Sequence, residues 1–183
     1  MRWWLRNLAI GAAVGFGVGL VVGGTLGRAF MRLVFLAESD ALGFQTAMGA
    51  IVGEFTGGGT AVIYVFGAIA GVVLGLAYAV GRVLLPAGIR LRTILFTVGT
   101  TAFMLGQIVR GNREDFTVLP VTLSLLLVVA SVALTAVPVP MLVERFAPDH
   151  RREPGRVAQS LVGIGMTGFA VFAVTGIMIA YAP

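Results

Sequence analysis

Five stretches of this chain run for 17 to 28 residues without a single charged side chain, and that pattern leaves few folds open. A helix needs about 20 residues to cross the hydrocarbon of a bilayer. There every backbone N–H and C=O must be bonded within the segment itself, which selects helices or closed barrels. Composition agrees: 58% of residues are hydrophobic and only 11% charged, whereas a soluble domain carries about 25% charge. The expected fold is an all-α integral membrane protein, a single domain over residues 1–183 built as a bundle of about five transmembrane helices. Their approximate spans are 7–27, 58–81, 93–109, 118–143 and 157–181.

The first span follows Arg2 and Arg6, which could pass for the start of a secretory leader. Its apolar stretch is longer than the 7–15 residues of a leader's core, and no small-residue cleavage signal precedes Arg28, so it reads as an uncleaved span. With the N-terminus in the cytoplasm, that side holds Arg2, Arg6, Arg82, Arg90, Arg92, Arg145, Arg151, Arg152 and Arg156. The outer side holds Arg28, Arg32, Arg110 and Arg113. Arginine excess on one side sets orientation, which places the N-terminus inside and the C-terminus outside. Trp3 and Trp4 suit an interfacial anchor, as does Tyr181 at the far end.

The one long connection, Arg28 to Gly57, contains Phe44, Ala47, Met48, Ile51, Val52 and Phe55 at helical spacing. The stripe predicts a short interfacial helix over about 44–55, too short to span.

Glycine supplies the clearest internal repeat. Gly11, Gly15, Gly19, Gly23 and Gly27 recur every fourth residue in the first span, and Gly67, Gly71 and Gly75 do so in the second. Lipid gives helices little hydrophobic reason to associate, so small residues that admit close backbone approach define packing faces. These eight glycines are the expected helix-packing positions of a glycine zipper, with either a span of the same chain or another subunit as partner. The Gly23-Gly24 pair is also a place for a kink.

Chemistry-bearing constellations are scarce. There is no cysteine, so no disulfide or thiolate metal site can form. All 13 basic residues are arginine, which excludes lysine Schiff-base chemistry. His150, the sole histidine, sits in the loop after the fourth span with no second histidine or cysteine to complete a metal site. The run Gly57-Gly58-Gly59-Thr60 lacks the G-K-[ST] ending and the strand-loop-helix setting of a phosphate loop. No catalytic, cofactor-binding or metal-ligating residue is therefore assigned, no cofactor is expected, and nucleic acid is not an expected partner. The +5 net charge is better matched to membrane lipid headgroups.

Two polar groupings stand out. Arg28, Arg32, Glu54 and Arg110 fall towards the outer ends of their spans and form the candidate outer-face site, for an anion, a headgroup or a partner subunit. Snorkelling arginines and surface ion pairs would give the same pattern. Thr93, Thr97, Thr100 and Gln107 lie near one face of the third span, where hydroxyls either line a path or bond backbone carbonyls.

The segments GRAFMRLVF (Gly27 to Phe35) and VGEFTGGGTAVIYVFGAIAGVVLGLAY (Val52 to Tyr78) resemble a loosely defined group of bacterial multi-pass inner-membrane proteins. The similarity runs from about Gly27 to Arg145 and leaves the fifth span outside. It implies a bacterial inner-membrane location and adds weight to Arg28, Arg32 and Glu54, but that group lends no activity. The expectation from sequence is a non-enzymatic accessory or scaffold subunit that packs against other membrane helices, or itself, through glycine-rich faces. The alternative is a channel or transporter acting as a homo-oligomer, with the outer arginines binding anions or lipid headgroups.

Overall fold

The structure is a computed structural model that describes residues 2–37, 43, 57–86, 88–112, 121–147 and 155–181. The interfacial helix expected at 44–55, Glu54 and His150 lie outside the described residues. Every regular element among the described residues is helical, and five helices are long and apolar enough to cross a membrane.

The first span is one long rod of three parts: α1 (Arg2–Val18), a π-helical turn (Gly19–Gly23) and α2 (Gly24–Ala37). The second and third spans are α3 (Gly57–Gly81) and α4 (Ile89–Gly111). The fourth is divided at Val137 into α5 (Val121–Ala136) and α6 (Pro138–Phe146), and the fifth is α7 (Arg156–Ala180). The division has a covalent cause. Pro138 and Pro140 have no N–H to offer the preceding turn, and the proline ring crowds the carbonyl four residues back.

α1 and α3 run antiparallel with their backbones in direct contact. A Cβ placed on Gly11 would lie 2.6 Å from the Gly75 carbonyl oxygen and 2.8 Å from the Ala79 Cβ. One on Gly15 would lie 2.8 Å from the Gly71 carbonyl carbon, and one on Gly71 2.6 Å from the Gly19 Cα. One on Gly67 would meet the Gly19 carbonyl oxygen at 2.6 Å. Backbone cannot retreat as a flexible side chain can, so these positions accept only hydrogen. The glycine faces of the first two spans are thus occupied by each other.

Beyond Gly19 the pattern changes. The Gly24 N–H reaches back to the Gly19 carbonyl, five residues away, so one extra residue enters the helical turn. The buried positions run Asn7, Gly11, Gly15, Val18 and Gly19, then Gly24 and Arg28. The sequence repeat puts Gly23 and Gly27 at the centre of that face. The π turn buries Gly24 and Arg28 there and leaves Gly23 and Gly27 half-buried. Gly27 still lies against α3, with an added Cβ 2.7 Å from the Ile63 Cγ2. Gly24 lies under the Tyr64 ring, at 2.7 Å from an added Cβ, while at Gly23 an added Cβ would find the ordinary 3.6 Å contact with the Gly67 Cα.

Two larger apolar clusters form among the described residues, beside a smaller one around Val34. Val18, Tyr78, Val139 and Val143 join α1, α3 and α6. Leu105, Val109, Leu125, Val128 and Ala173 join α4, α5 and α7. α7 leans on α4 through a second close approach, where a Cβ on Gly176 would sit 2.9 Å from the Gly106 Cα. Phe103 packs there between Phe169 and Phe172, at centroid distances of 5.5 and 5.6 Å. Apart from that seam α7 is exposed: 6% of its apolar stretch is buried, against 22–28% in the other four spans.

Candidate functional site

The charged groups converge at the end of the bundle where the chain begins. Tyr78 and Arg82 are four residues apart, so they project from one face at the end of α3. Arg92 stands in the first turn of α4 and Glu144 in the last turn of α6. The link from α3 to α4 is a tight turn through Pro86, which holds the two arginines on the same side of the bundle.

One oxygen gathers three donors. Glu144 Oε1 accepts from Tyr78 Oη at 2.9 Å, from Arg92 Nη1 at 2.9 Å and from Arg82 Nη1 at 3.4 Å. The arginines are tied to backbone as well: Arg82 Nη1 donates to the Ala147 carbonyl at 2.6 Å, and Arg92 Nε to the Pro86 carbonyl at 2.5 Å. Arg82 and Arg92 are 2% and 4% exposed, so both cations have left water. The Phe96 ring meets Tyr78 edge-on at 5.1 Å and seals one flank.

Glu144 is the one carboxylate among the described residues, and it faces two guanidinium groups. The described cluster also has donors to spare. Arg82 Nη2 and Asn7 Nδ2 are both buried without a hydrogen-bond partner. A buried donor left unmade costs about 1–3 kcal/mol, and more when it is charged.

The described residues of the sequence-derived outer face each meet a separate partner. Arg28 is buried and donates through Nη2 to the Thr60 hydroxyl on α3. Arg32 lies over the Phe35 ring of its own helix, at 5.0 Å. Arg110 donates to the Thr175 hydroxyl on α7 at 2.5 Å and stacks on Phe172 at 3.7 Å. These contacts take the three arginines to three different neighbours. Glu54 falls outside the described residues.

The threonine stripe of α4 also divides. Gln107 is exposed, and Thr100 opens on a lateral groove. The hydroxyls of Thr93, Thr97 and Thr101 are buried without partners. They share a face with Leu105 and Val109, which pack on Leu125 and Val128 of α5. Ser124, buried and unpartnered as well, continues this seam on α5. The groove, about 440 Å³, lies between α3, α4 and α7 and is lined by apolar residues including Leu84, Phe96, Gly99, Gly165 and Phe169.

Sequence reading missed the Glu144 cluster. It took Arg82 and Arg92 as orientation charges and Glu144 as the boundary of a span. The available signal was the Tyr78–Arg82 spacing together with an acid at the end of an otherwise apolar span. Compared with protein families, characterised proteins and solved structures, the chain matches none.

Proposed function

We propose that this chain is an accessory or scaffold subunit of a bacterial inner-membrane assembly, with its N-terminus cytoplasmic. It engages a transmembrane helix of another polypeptide through α7 and the adjoining groove. The observation that carries this reading is the uneven burial of α7, 6% against 22–28% elsewhere. A 25-residue apolar helix held on one seam offers most of its circumference to a partner. The groove beside it has glycine in its wall, which suits close approach by another helix. The glycines of α1 and α3 do not serve this role, because they already meet each other.

The test is gentle extraction from native membranes, followed by the mass and composition of the particle. The expected result is stoichiometric association with a second polypeptide, lost in Gly165→Phe, whose new ring enters the groove. Gly165 has open space around it, so that variant keeps its fold. A chain extracted alone, or with copies of itself only, overturns the reading.

A channel or transporter acting as a homo-oligomer is the second reading. The buried, unpartnered hydroxyls of Thr93, Thr97, Thr101 and Ser124 favour it, since hydroxyls along a helix interface can line a polar path. Liposome flux that falls in the Thr97→Val, Thr101→Val double variant would support it; absence of flux in the parent protein would remove it.

A further inference from the structure

We infer that the end of the bundle around Arg82 and Asn7 binds the phosphate of an anionic lipid. Four observations carry the assignment. Arg82 is 2% exposed and Asn7 5%, yet each holds a nitrogen, Nη2 and Nδ2 respectively, with no acceptor. Native proteins rarely leave buried donors unmade, so two of them at one end of the bundle call for an acceptor from outside.

The two lie on the same interface. Gly19, Gly15 and Gly11 step along Gly67, Gly71 and Gly75, and the next turn of that register brings Asn7 level with Ala79 to Val83. Charge follows the same logic, because the spare nitrogen of Arg82 belongs to a cation, which is met best by an acceptor that is itself negatively charged. A ligand here must accept hydrogen bonds and carry negative charge. A phosphate does both, and the fork of a guanidinium matches two of its oxygens.

Depth selects the source. Asn7 lies less than one turn after Trp4, which is half exposed at 52% and suits the headgroup level of a bilayer. Lipid phosphate is concentrated at that level. This site is separate from the α7 face and its groove, and does not depend on them.

The experiment uses the full chain in mild detergent, stripped of lipid and then offered phosphatidylglycerol, phosphatidylcholine or inorganic phosphate, with retention read by native mass spectrometry. The expected result is one phosphatidylglycerol per chain, held about tenfold better than phosphatidylcholine, as one charge-assisted hydrogen bond would give. Asn7→Asp supplies a carboxylate of the protein's own to the spare donor of Arg82. It is expected to raise the melting temperature of the lipid-free protein and to reduce phosphatidylglycerol retention about tenfold. Asn7→Leu removes one donor without adding an acceptor and is expected to lower retention less; should Asn7→Asp fail to fold, Asn7→Leu decides by the same readout. Unchanged retention in the folded variant overturns the site, since water or protein then serves those donors. Equal stabilisation by inorganic phosphate overturns its assignment to lipid.

Discussion

Gly15 and Gly17 are two residues apart on one helix, and their surroundings are opposite. Gly15 lies against the Gly71 backbone, while an added Cβ at Gly17 would meet nothing within 4 Å. Gly15→Ala and Gly71→Ala are therefore expected to destabilise the folded chain by about 1–3 kcal/mol, the usual penalty for overpacking. Gly17→Ala is expected to be neutral or mildly stabilising, because alanine is the better helix former. Denaturant titration in detergent compares the three. Glu144 poses the sharper residue question. Glu144→Gln leaves two buried guanidinium groups without a counter-ion among the described residues, a change expected to cost about 3–5 kcal/mol. Tyr78→Phe removes a single bond to the same oxygen and is expected to cost about 1.5–3 kcal/mol. The glycine period was legible because it is local. The Glu144 cluster was not, because its three donors lie 52 to 66 residues before Glu144 and its arginines each alone resemble an ordinary boundary charge.

At the scale of the element, the π turn decides which residues of the first span face α3. Four-residue spacing is visible in sequence, but an extra residue in one turn is not. The Gly23-Gly24 pair was its only signal, and it reads equally well as a kink. Removing Val21 restores five residues to four, and Gly24 and Arg28 then continue the four-residue spacing set by Gly11, Gly15 and Gly19. Arg28 therefore keeps the face that reaches Thr60. The chain has no native cysteine, so the pair R28C and T60C gives a clean probe. Cross-linking by a bifunctional thiol reagent long enough to span an arginine side chain is expected in the full-length background and in the Val21 deletion. One alanine inserted after Thr25 instead turns Arg28 away by about 100° and is expected to abolish it. The division of the fourth span was more legible, since Pro138 and Pro140 announce it covalently, although their consequence, Glu144 aimed at two neighbouring spans, was not.

For the molecule as a whole, five spans could be counted from sequence because hydropathy belongs to each segment separately. Which helices touch depends on side chains distant in sequence, and the loose attachment of α7 has no local signature. Its seam with α4 rests on Gly106 lying against Phe172 and Gly176. Gly106→Leu is expected to lift α7 away while leaving α1 against α3. The pair T122C and Y181C, at positions whose hydroxyls are 2.9 Å apart, is expected to be joined in the parent chain by a bifunctional thiol reagent long enough to span a tyrosine side chain, and to lose that cross-link with Gly106→Leu. Glu144 also has a consequence in time. Arg82 and Arg92 are synthesised 62 and 52 residues before it, an interval of about three to twelve seconds at about 5–20 residues per second. During that interval both arginines lack the acid that later encloses them and remain among water and headgroups, where positive charge resists being carried across the membrane. With the N-terminus cytoplasmic, as proposed, the same two charges first hold the nascent hairpin to the side on which it was made, and afterwards, once their acid arrives, close the bundle.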